Sequence, residues 1–130
     1  MICLLDVSAL IGLGFAQHEF HERVATWVAA QEDLSLATCS ITELGFVRIL
    51  PQMTASDLSV AEARALLHRL KKSQSFRFFA DDHDISHLPA WVKMPRQTSD
   101  GHLVRLARAH GATLATLDHR IPGAYLIPNV

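Results

Sequence analysis

The chain alternates between short apolar runs and longer segments whose apolar residues recur at helical spacing. In the first run, residues 2–5, four apolar residues follow one another directly before Asp6. A continuous run of this length is typical of a strand that is buried on both faces of a sheet. Further strands are predicted at residues 34–37, 76–79, 113–117 and 125–127.

The segments between these strands carry helix signals. Helices are predicted at residues 9–15, 18–30, 40–50 and 98–110. Another helix is predicted to begin at residue 59 and to end at the basic residues 69–72, and residues 80–96 are predicted to be mostly loop. Ser40 and Ser59 are each followed three residues later by a glutamate, which is the capping-box pattern of a helix start. Because strands that alternate with helices form right-handed βαβ units, the sequence predicts an α/β fold. Its central, mostly parallel sheet has four or five strands, with helices on both faces.

Size and composition exclude several classes of protein. The 130 residues suit one domain, and 49% apolar residues with a net charge of -1 exclude a disordered chain. The uncharged stretch 7–18 is too short to span a membrane, and Asp6 interrupts the region where a secretory signal would lie. Cys3 and Cys39 lie in apolar runs and are expected to be free thiols in a reducing compartment, the cytoplasm. With 12 basic and 13 acidic residues, nucleic-acid binding would require a local patch.

Four acidic residues are expected at one edge of this sheet. The carboxyl ends of parallel strands and the amino ends of the following helices meet there, and we call it the carboxyl edge. Asp6 and Asp118 end strands, whereas Glu43 and Asp100 lie in first turns of helices. Each could be only a helix cap or a turn residue. Together they would repel one another unless a cation binds, and oxygen ligands suit Mg²⁺ or Mn²⁺, which can promote phosphodiester hydrolysis.

The acids lie in four short segments of recognisable pattern. These are residues 4–10 (LLDVSAL), 40–46 (SITELGF), 98–103 (TSDGHL) and 115–118 (ATLD). In this order and with these gaps they resemble the PIN domain, and more closely the VapC-type toxin ribonucleases of bacterial and archaeal toxin–antitoxin pairs. The resemblance spans nearly the whole chain and implies a single PIN domain, residues 1–130, with a PIN-like three-layer fold.

The resemblance also implies a role for each acid. Asp6 and Asp100 correspond to the principal ligands of Mg²⁺ or Mn²⁺. Glu43 would contact the metal through water or orient the attacking water, and Asp118 would complete the acidic pocket at the family's most variable acidic position. The implied activity is metal-dependent cleavage of RNA by an endoribonuclease toxin.

Substrate contacts are expected from residues beside the acids. Ser8 stands where the family often has asparagine or threonine, and its hydroxyl could still form a hydrogen bond with Asp6 or with a water on the metal. Arg96 and Arg120 flank two of the acids, as does His119, and could hold RNA phosphates. The basic run 69–72 is either the cationic end of a helix or a further phosphate contact.

Other motifs favour ordinary structural roles. The pair His18 and His21 lacks the spacing of a zinc motif, and the histidines at 83 and 87 are expected at the surface near the pocket. Two adjacent aspartates at 81 and 82 resemble a receiver-domain pair, but they follow a late strand instead of the first.

The resemblance implies three partners: RNA as substrate, a cognate VapB-type antitoxin, and a second copy of the chain in a homodimer. DNA would be contacted only through the antitoxin, and no membrane contact is expected. The Trp27 helix and the stripe of Val60, Leu66, Leu67 and Leu70 are candidate interface surfaces or core. Two alternatives stay open: a non-catalytic RNA- or protein-binding module, and a PIN nuclease without an antitoxin.

Overall fold

A computed structural model describes residues 1–130 and contains one five-stranded, fully parallel sheet. The strand order is β3-β2-β1-β4-β5. The strands are β1 Ile2–Leu5, β2 Ser35–Cys39, β3 Arg77–Phe79, β4 Thr113–Thr116 and β5 Tyr125–Leu126. The predicted α/β architecture is therefore confirmed.

Five helices cover the two faces of the sheet. They are α1 Val7–Gly14, α2 His21–Ala30, α3 Ser40–Ile49, α4 Val60–Ser73 and α5 Thr98–Ala109. The chain moves outward from β1 to β2 and β3, then returns past β1 to β4. A right-handed crossover toward one edge of the sheet places its helices on one face, and a right-handed crossover toward the other edge places them on the opposite face. Helices α1 to α4 accordingly share one face, and α5 packs on the other.

Alternation along the strands divides the core into two layers. Cys3 and Leu5 of β1 join the layer under α1 to α4, whereas Leu4 joins the layer under α5. Trp27 belongs to the first layer and is only 3% exposed, so it is part of the core of this chain. Leu67 of α4 is buried in the same layer, but Val60 is 55% exposed, so the predicted stripe is core over only part of its length.

A helix start and a capping box differ from the sequence predictions. The helix expected from residue 18 begins at His21, because the preceding residues form turns in which the amide of His18 donates to the carbonyl of Phe15. The capping box expected at Ser40 lies one residue earlier: the amide of Cys39 donates to Thr42 Oγ1 at 3.0 Å. Strand β2 also extends two residues beyond its predicted end, since its last residues pair with β3.

Other local predictions are confirmed. Ser59 and Glu62 exchange two hydrogen bonds of 3.0 Å at the start of α4, as the capping-box pattern predicts. The loop predicted at residues 80–96 contains no α-helix and only short 3₁₀ turns, at Ile85–His87 and Pro95–Gln97. None of the helices is both long enough and apolar enough to cross a membrane.

Candidate active site

Asp6 is a buried carboxylate at the centre of the carboxyl edge. It follows β1 directly and is 7% exposed. Its Oδ1 accepts a hydrogen bond of 2.9 Å from the amide of Ala9, which caps α1, and its Oδ2 accepts one from the hydroxyl of Thr116. Burial raises the pKa of Asp6 from 3.8 to about 6, although both hydrogen bonds oppose that rise.

Thr116 links the ends of the two central strands. It is the last residue of β4, and because Leu5 pairs with Ala115 in the parallel register, it lies beside Asp6. Its hydroxyl donates to Asp6 and also accepts a hydrogen bond of 3.0 Å from the amide of Asp118. This one buried hydroxyl therefore connects the two strand-ending acids.

Asp118 is held by its neighbour Arg120. The guanidinium donates two hydrogen bonds of 2.9 and 3.0 Å to the two carboxylate oxygens, and the Arg120 amide adds a third of 2.9 Å. These contacts lower the pKa of Asp118 below its usual range. The pair is local and solvent-accessible, with the Arg120 side chain 73% exposed. Asp118 is therefore an anion that is paired with an exposed arginine.

Asp100 approaches the site from the opposite face of the sheet. It lies in the first turn of α5 and is partly buried. The next residue, Gly101, permits a close approach to the preceding loop, because a Cβ there would lie 2.2 Å from Val92 Cγ2. Burial, and after it the charge of Asp118, raise the pKa of Asp100.

Glu43 points toward α4. It lies in the first turn of α3, which packs tightly on α1, since a Cβ at Gly45 would lie 2.4 Å from Val7 Cγ2. Its Oε2 accepts hydrogen bonds of 2.5 Å from both the hydroxyl of Thr38 and the ammonium group of Lys71. One oxygen of Glu43 thus has two hydrogen-bond donors.

Three of the four acids, Asp6, Asp100 and Asp118, influence one another across the carboxyl edge, whereas Glu43 contacts Thr38 and Lys71 instead. The charges of Asp100 and Asp118 both raise the pKa of Asp6. A divalent cation would relieve this repulsion, and carboxylates are its preferred protein ligands. No three acidic, histidine or cysteine side chains lie close enough to share a metal ion. Mg²⁺ commonly takes one or two carboxylates and fills its remaining positions with water, so the donor set fits such an ion.

The predicted substrate contacts lie at the surface around these acids. Ser8 is exposed and shares a cavity of about 310 Å³ with Asp118, bordered also by His18, Glu19 and Phe20. Arg96 is exposed on the turn that precedes α5. A groove of about 800 Å³ lies between α3 and α4 and includes Glu43 and Lys71.

Several of the other histidines contact groups within the fold. His18 Nδ1 accepts from the amide of Phe20, and His21 Nδ1 lies 2.8 Å from the carbonyl of Gly12. The rings of the histidines at 83 and 87 contact each other edge-on, with centroids 5.2 Å apart. Asp81, one of the adjacent aspartates, pairs with His102 at 2.5 Å. No zinc motif is formed by any of these residues.

Two polar residues at the site, Thr116 and Thr38, were not singled out from the sequence, and Lys71 was considered only as part of the basic run 69–72. Thr116 could have been found, because a threonine that ends an apolar strand beside Asp6 needs a partner for its hydroxyl. Thr38 could have been found in the same way, because its hydroxyl also lies in an apolar strand, β2, and needs a partner. The pairing of Lys71 with Glu43 could not be predicted from the sequence, because it depends on how α3 and α4 pack.

A family model for the PIN domain matches residues 3–125. The chain belongs to the PIN domain family. Within that family it is similar to ribonucleases of Mycobacterium tuberculosis. It is 40% identical to Ribonuclease VapC38 over 121 residues, which cover 90% of this chain and 85% of the relative. It is 35% identical to Ribonuclease VapC44 over 136 residues, covering 95% and 94% of the two chains. This PIN protein is therefore a member of the VapC ribonucleases.

Solved structures agree on the fold. The structure of Mycobacterium tuberculosis VapC20, described as a sarcin–ricin loop cleaving toxin, gives a TM-score of 0.70 at 12% identity and covers 98% of this PIN domain and 99% of that chain. VapBC2 from Rickettsia felis, bound to a DNA fragment from its promoter, gives a TM-score of 0.60 at 14% identity, with 97% of each chain covered. At these identities the likeness extends to the fold alone.

Proposed function

We propose that this protein is a metal-dependent endoribonuclease that acts as the toxin of a toxin–antitoxin pair. The observation that carries the proposal is the carboxylate of Asp6, which is destabilised as an anion first by burial and then by the nearby charges of Asp100 and Asp118. A fold gains no stability from gathering like charges in this way, and such sites are commonly functional. Membership of the VapC ribonucleases supports RNA as the substrate.

The four acids would have different roles in cleavage. Asp6 and Asp100 would hold Mg²⁺ or Mn²⁺, and when bound the ion supplies an acidified water and positive charge against the scissile phosphate. Asp6 keeps its orientation through Ala9 and Thr116. Glu43 would orient the attacking water as a hydrogen-bond acceptor, and Asp118 would complete the acidic pocket.

Basic and hydroxyl groups around the acids would hold the RNA strand. Arg120 is exposed and would exchange Asp118 for a phosphate next to the scissile one. Arg96 would bind a phosphate on the α5 side, and Ser8 would donate a hydrogen bond from the small cavity that it shares with Asp118. Positioning the phosphate in line with the water is a large part of such catalysis.

The proposal includes partners. The Rickettsia felis structure pairs a VapC fold with an antitoxin on promoter DNA. By analogy, a cognate VapB-type antitoxin would neutralise this toxin and contact DNA on its behalf, and a second copy of the chain would complete a homodimer. The RNA substrate and the two buried free thiols favour the cytoplasm as its location.

Cleavage of a labelled RNA tests the activity. The wild-type protein, Asp6→Asn, and a control at the exposed Asp33, Asp33→Asn, are each assayed with Mn²⁺ and with EDTA. Asp6→Asn and EDTA are expected to reduce cleavage at least 100-fold, because both remove the metal centre, whereas Asp33→Asn leaves it unchanged. Equal cleavage in all samples would indicate a contaminating nuclease and refute the proposal.

Expression in cells tests the toxin role separately. Wild-type protein is expected to arrest growth, and Asp100→Ala is expected to relieve the arrest. Growth arrest that persists in Asp100→Ala would show that toxicity does not require this site. Rescue of the wild type by a co-expressed small protein from the neighbouring gene would identify the antitoxin, and its failure would favour a PIN nuclease without one.

A further inference from the structure

We propose that Lys71 and Thr38 are positioning residues that hold Glu43 in the orientation needed for RNA cleavage. This inference rests on the proposed nuclease function. It concerns residues outside the four acids, on a helix and a strand that have no other part in the site.

The two partners bond the same oxygen of Glu43. The hydroxyl of Thr38 and the ammonium group of Lys71 each donate to Oε2 at 2.5 Å. No protein group donates to Oε1. The carboxylate therefore has one anchored oxygen and one that can accept a hydrogen bond from water. This is the arrangement that a group orienting an attacking water requires.

The fold explains why these donors meet. Thr38 lies in β2, is fully buried, and pairs with Phe78 of β3, so both side chains project toward α4. Lys71 lies in the last turn of α4 with its ammonium group 5.5 Å from the ring centroid of Phe78. The aromatic face attracts the cation, which steadies the donor that reaches Glu43. Donors from β2 and α4 thus converge on one carboxylate oxygen, and β3 supports one of them.

Stability alone does not account for this arrangement. The side chains of Lys71 and Glu43 are 30% and 25% exposed, so water screens the ion pair in part and limits its contribution to folding. A glutamate side chain has three rotatable torsions, so without partners its carboxylate samples many positions. Two donors on one oxygen select one of them. Loss of a donor should therefore slow cleavage more than it destabilises the fold.

A different role for Lys71 would give a different result. If Lys71 bound an RNA phosphate directly, its loss would weaken RNA binding and raise KM with little change in kcat. If Lys71 held Glu43 away from the reaction, its loss would raise kcat. Positioning predicts a lower kcat with nearly constant KM.

Kinetics with matched variants separate these roles. Lys71→Met removes the charge but keeps most of the side-chain stem. Lys93→Met is the control, because Lys93 is exposed in a loop and lies outside the basic run 69–72. On a short RNA with Mn²⁺, Lys71→Met is expected to lower kcat about tenfold with KM changed less than about twofold, since a correctly placed acid–base group contributes 10²–10⁴-fold. Lys71→Arg is expected to recover most of the rate. Thr38→Val is expected to act as Lys71→Met does.

A double-mutant cycle shows whether the effect passes through Glu43. In a Glu43→Ala background, Lys71→Met is expected to have no further effect on the residual rate, because the group that it positions is already absent. If Lys71→Met lowers the residual rate of Glu43→Ala by the same factor as it lowers the wild-type rate, the inference is wrong, although the protein is still an active nuclease. An inactive wild-type protein would overturn the nuclease proposal and this inference together.

A spectroscopic measurement tests the contact without catalysis. The protein has five glutamates, so labelling their side-chain carboxyl groups with ¹³C gives a simple spectrum, and the Glu43 signal is identified by its loss in Glu43→Gln. In the metal-free protein this signal is expected to move in Lys71→Met and in Thr38→Val, and to stay in place in Lys93→Met. A Glu43 signal that does not move in Lys71→Met would overturn the inference, whatever the activity of the variant.

Discussion

Replacing Asp6 with asparagine should stabilise the protein while it abolishes RNA cleavage. The buried carboxylate has a pKa of about 6, raised from 3.8 first by burial and then by the charges of Asp100 and Asp118. Asparagine has nearly the same shape and can still accept the hydrogen bond from Ala9. It carries no charge, so the cost of burying an anion disappears.

The size of the effect follows from the pKa difference. A tenfold change in proton affinity corresponds to about 1.4 kcal/mol, so ionised Asp6 costs the folded state about 3 kcal/mol relative to protonated Asp6. Because the folded-state pKa is raised, the stability associated with protonated Asp6 is complete below about pH 4 and is lost as the pH rises through 6. The advantage of Asp6→Asn should therefore grow by about 2–3 kcal/mol between pH 4 and pH 7.5.

Urea unfolding in EDTA at several pH values measures this directly. The free energy of unfolding is extrapolated to water for wild type, Asp6→Asn and Asp33→Asn at each pH. The difference between Asp6→Asn and wild type should increase with pH, whereas that between Asp33→Asn and wild type should stay flat. A difference that is constant with pH, or that shrinks as the pH rises, would refute the assignment of a destabilised anion at Asp6.

Three further outcomes are expected. Added Mn²⁺ should raise the melting temperature of the wild type, because a ligand that binds only the folded state stabilises it. The rise should be smaller in Asp100→Asn. An equal rise in both proteins would show that the ion binds elsewhere. Thr116→Val removes a hydrogen bond that lowers the pKa of Asp6, so the acidic limb of the RNA-cleavage pH profile should move to higher pH, and an unmoved limb would contradict this. Gly45→Ala forces a Cβ within 2.4 Å of Val7, so urea unfolding should show a loss of about 1–3 kcal/mol, and unchanged stability would mean that α1 and α3 can separate freely.

The arrangement of the acids could be predicted because it depends on topology. Parallel strands that alternate with helices bring strand ends and helix starts to one edge, whatever the details of packing. Asp6 and Asp118 follow the neighbouring strands β1 and β4, and Asp100 is near enough to raise the pKa of Asp6. The pattern of apolar runs was sufficient for this part of the site.

The hydrogen bonds around the acids could not be predicted in the same way. Lys71 reaches Glu43 only because α3 and α4 pack side by side, and sequence periodicity gives the faces of helices but not which neighbours meet. The capping box at Ser40 was wrong by one residue because pairing with β3 extends β2 to Cys39, so the helix start is set by the sheet. Tertiary contacts decided both details.

The hydrogen bond between Asp6 and Thr116 joins residues 110 positions apart in the chain. During synthesis the first strand therefore leaves the ribosome long before the strand that completes its surroundings. An amino-terminal fragment that ends before β4 lacks Thr116 and Asp118 and can build only part of the acidic centre. A nascent chain of this protein consequently cannot assemble the complete acidic centre until translation has passed the fourth strand.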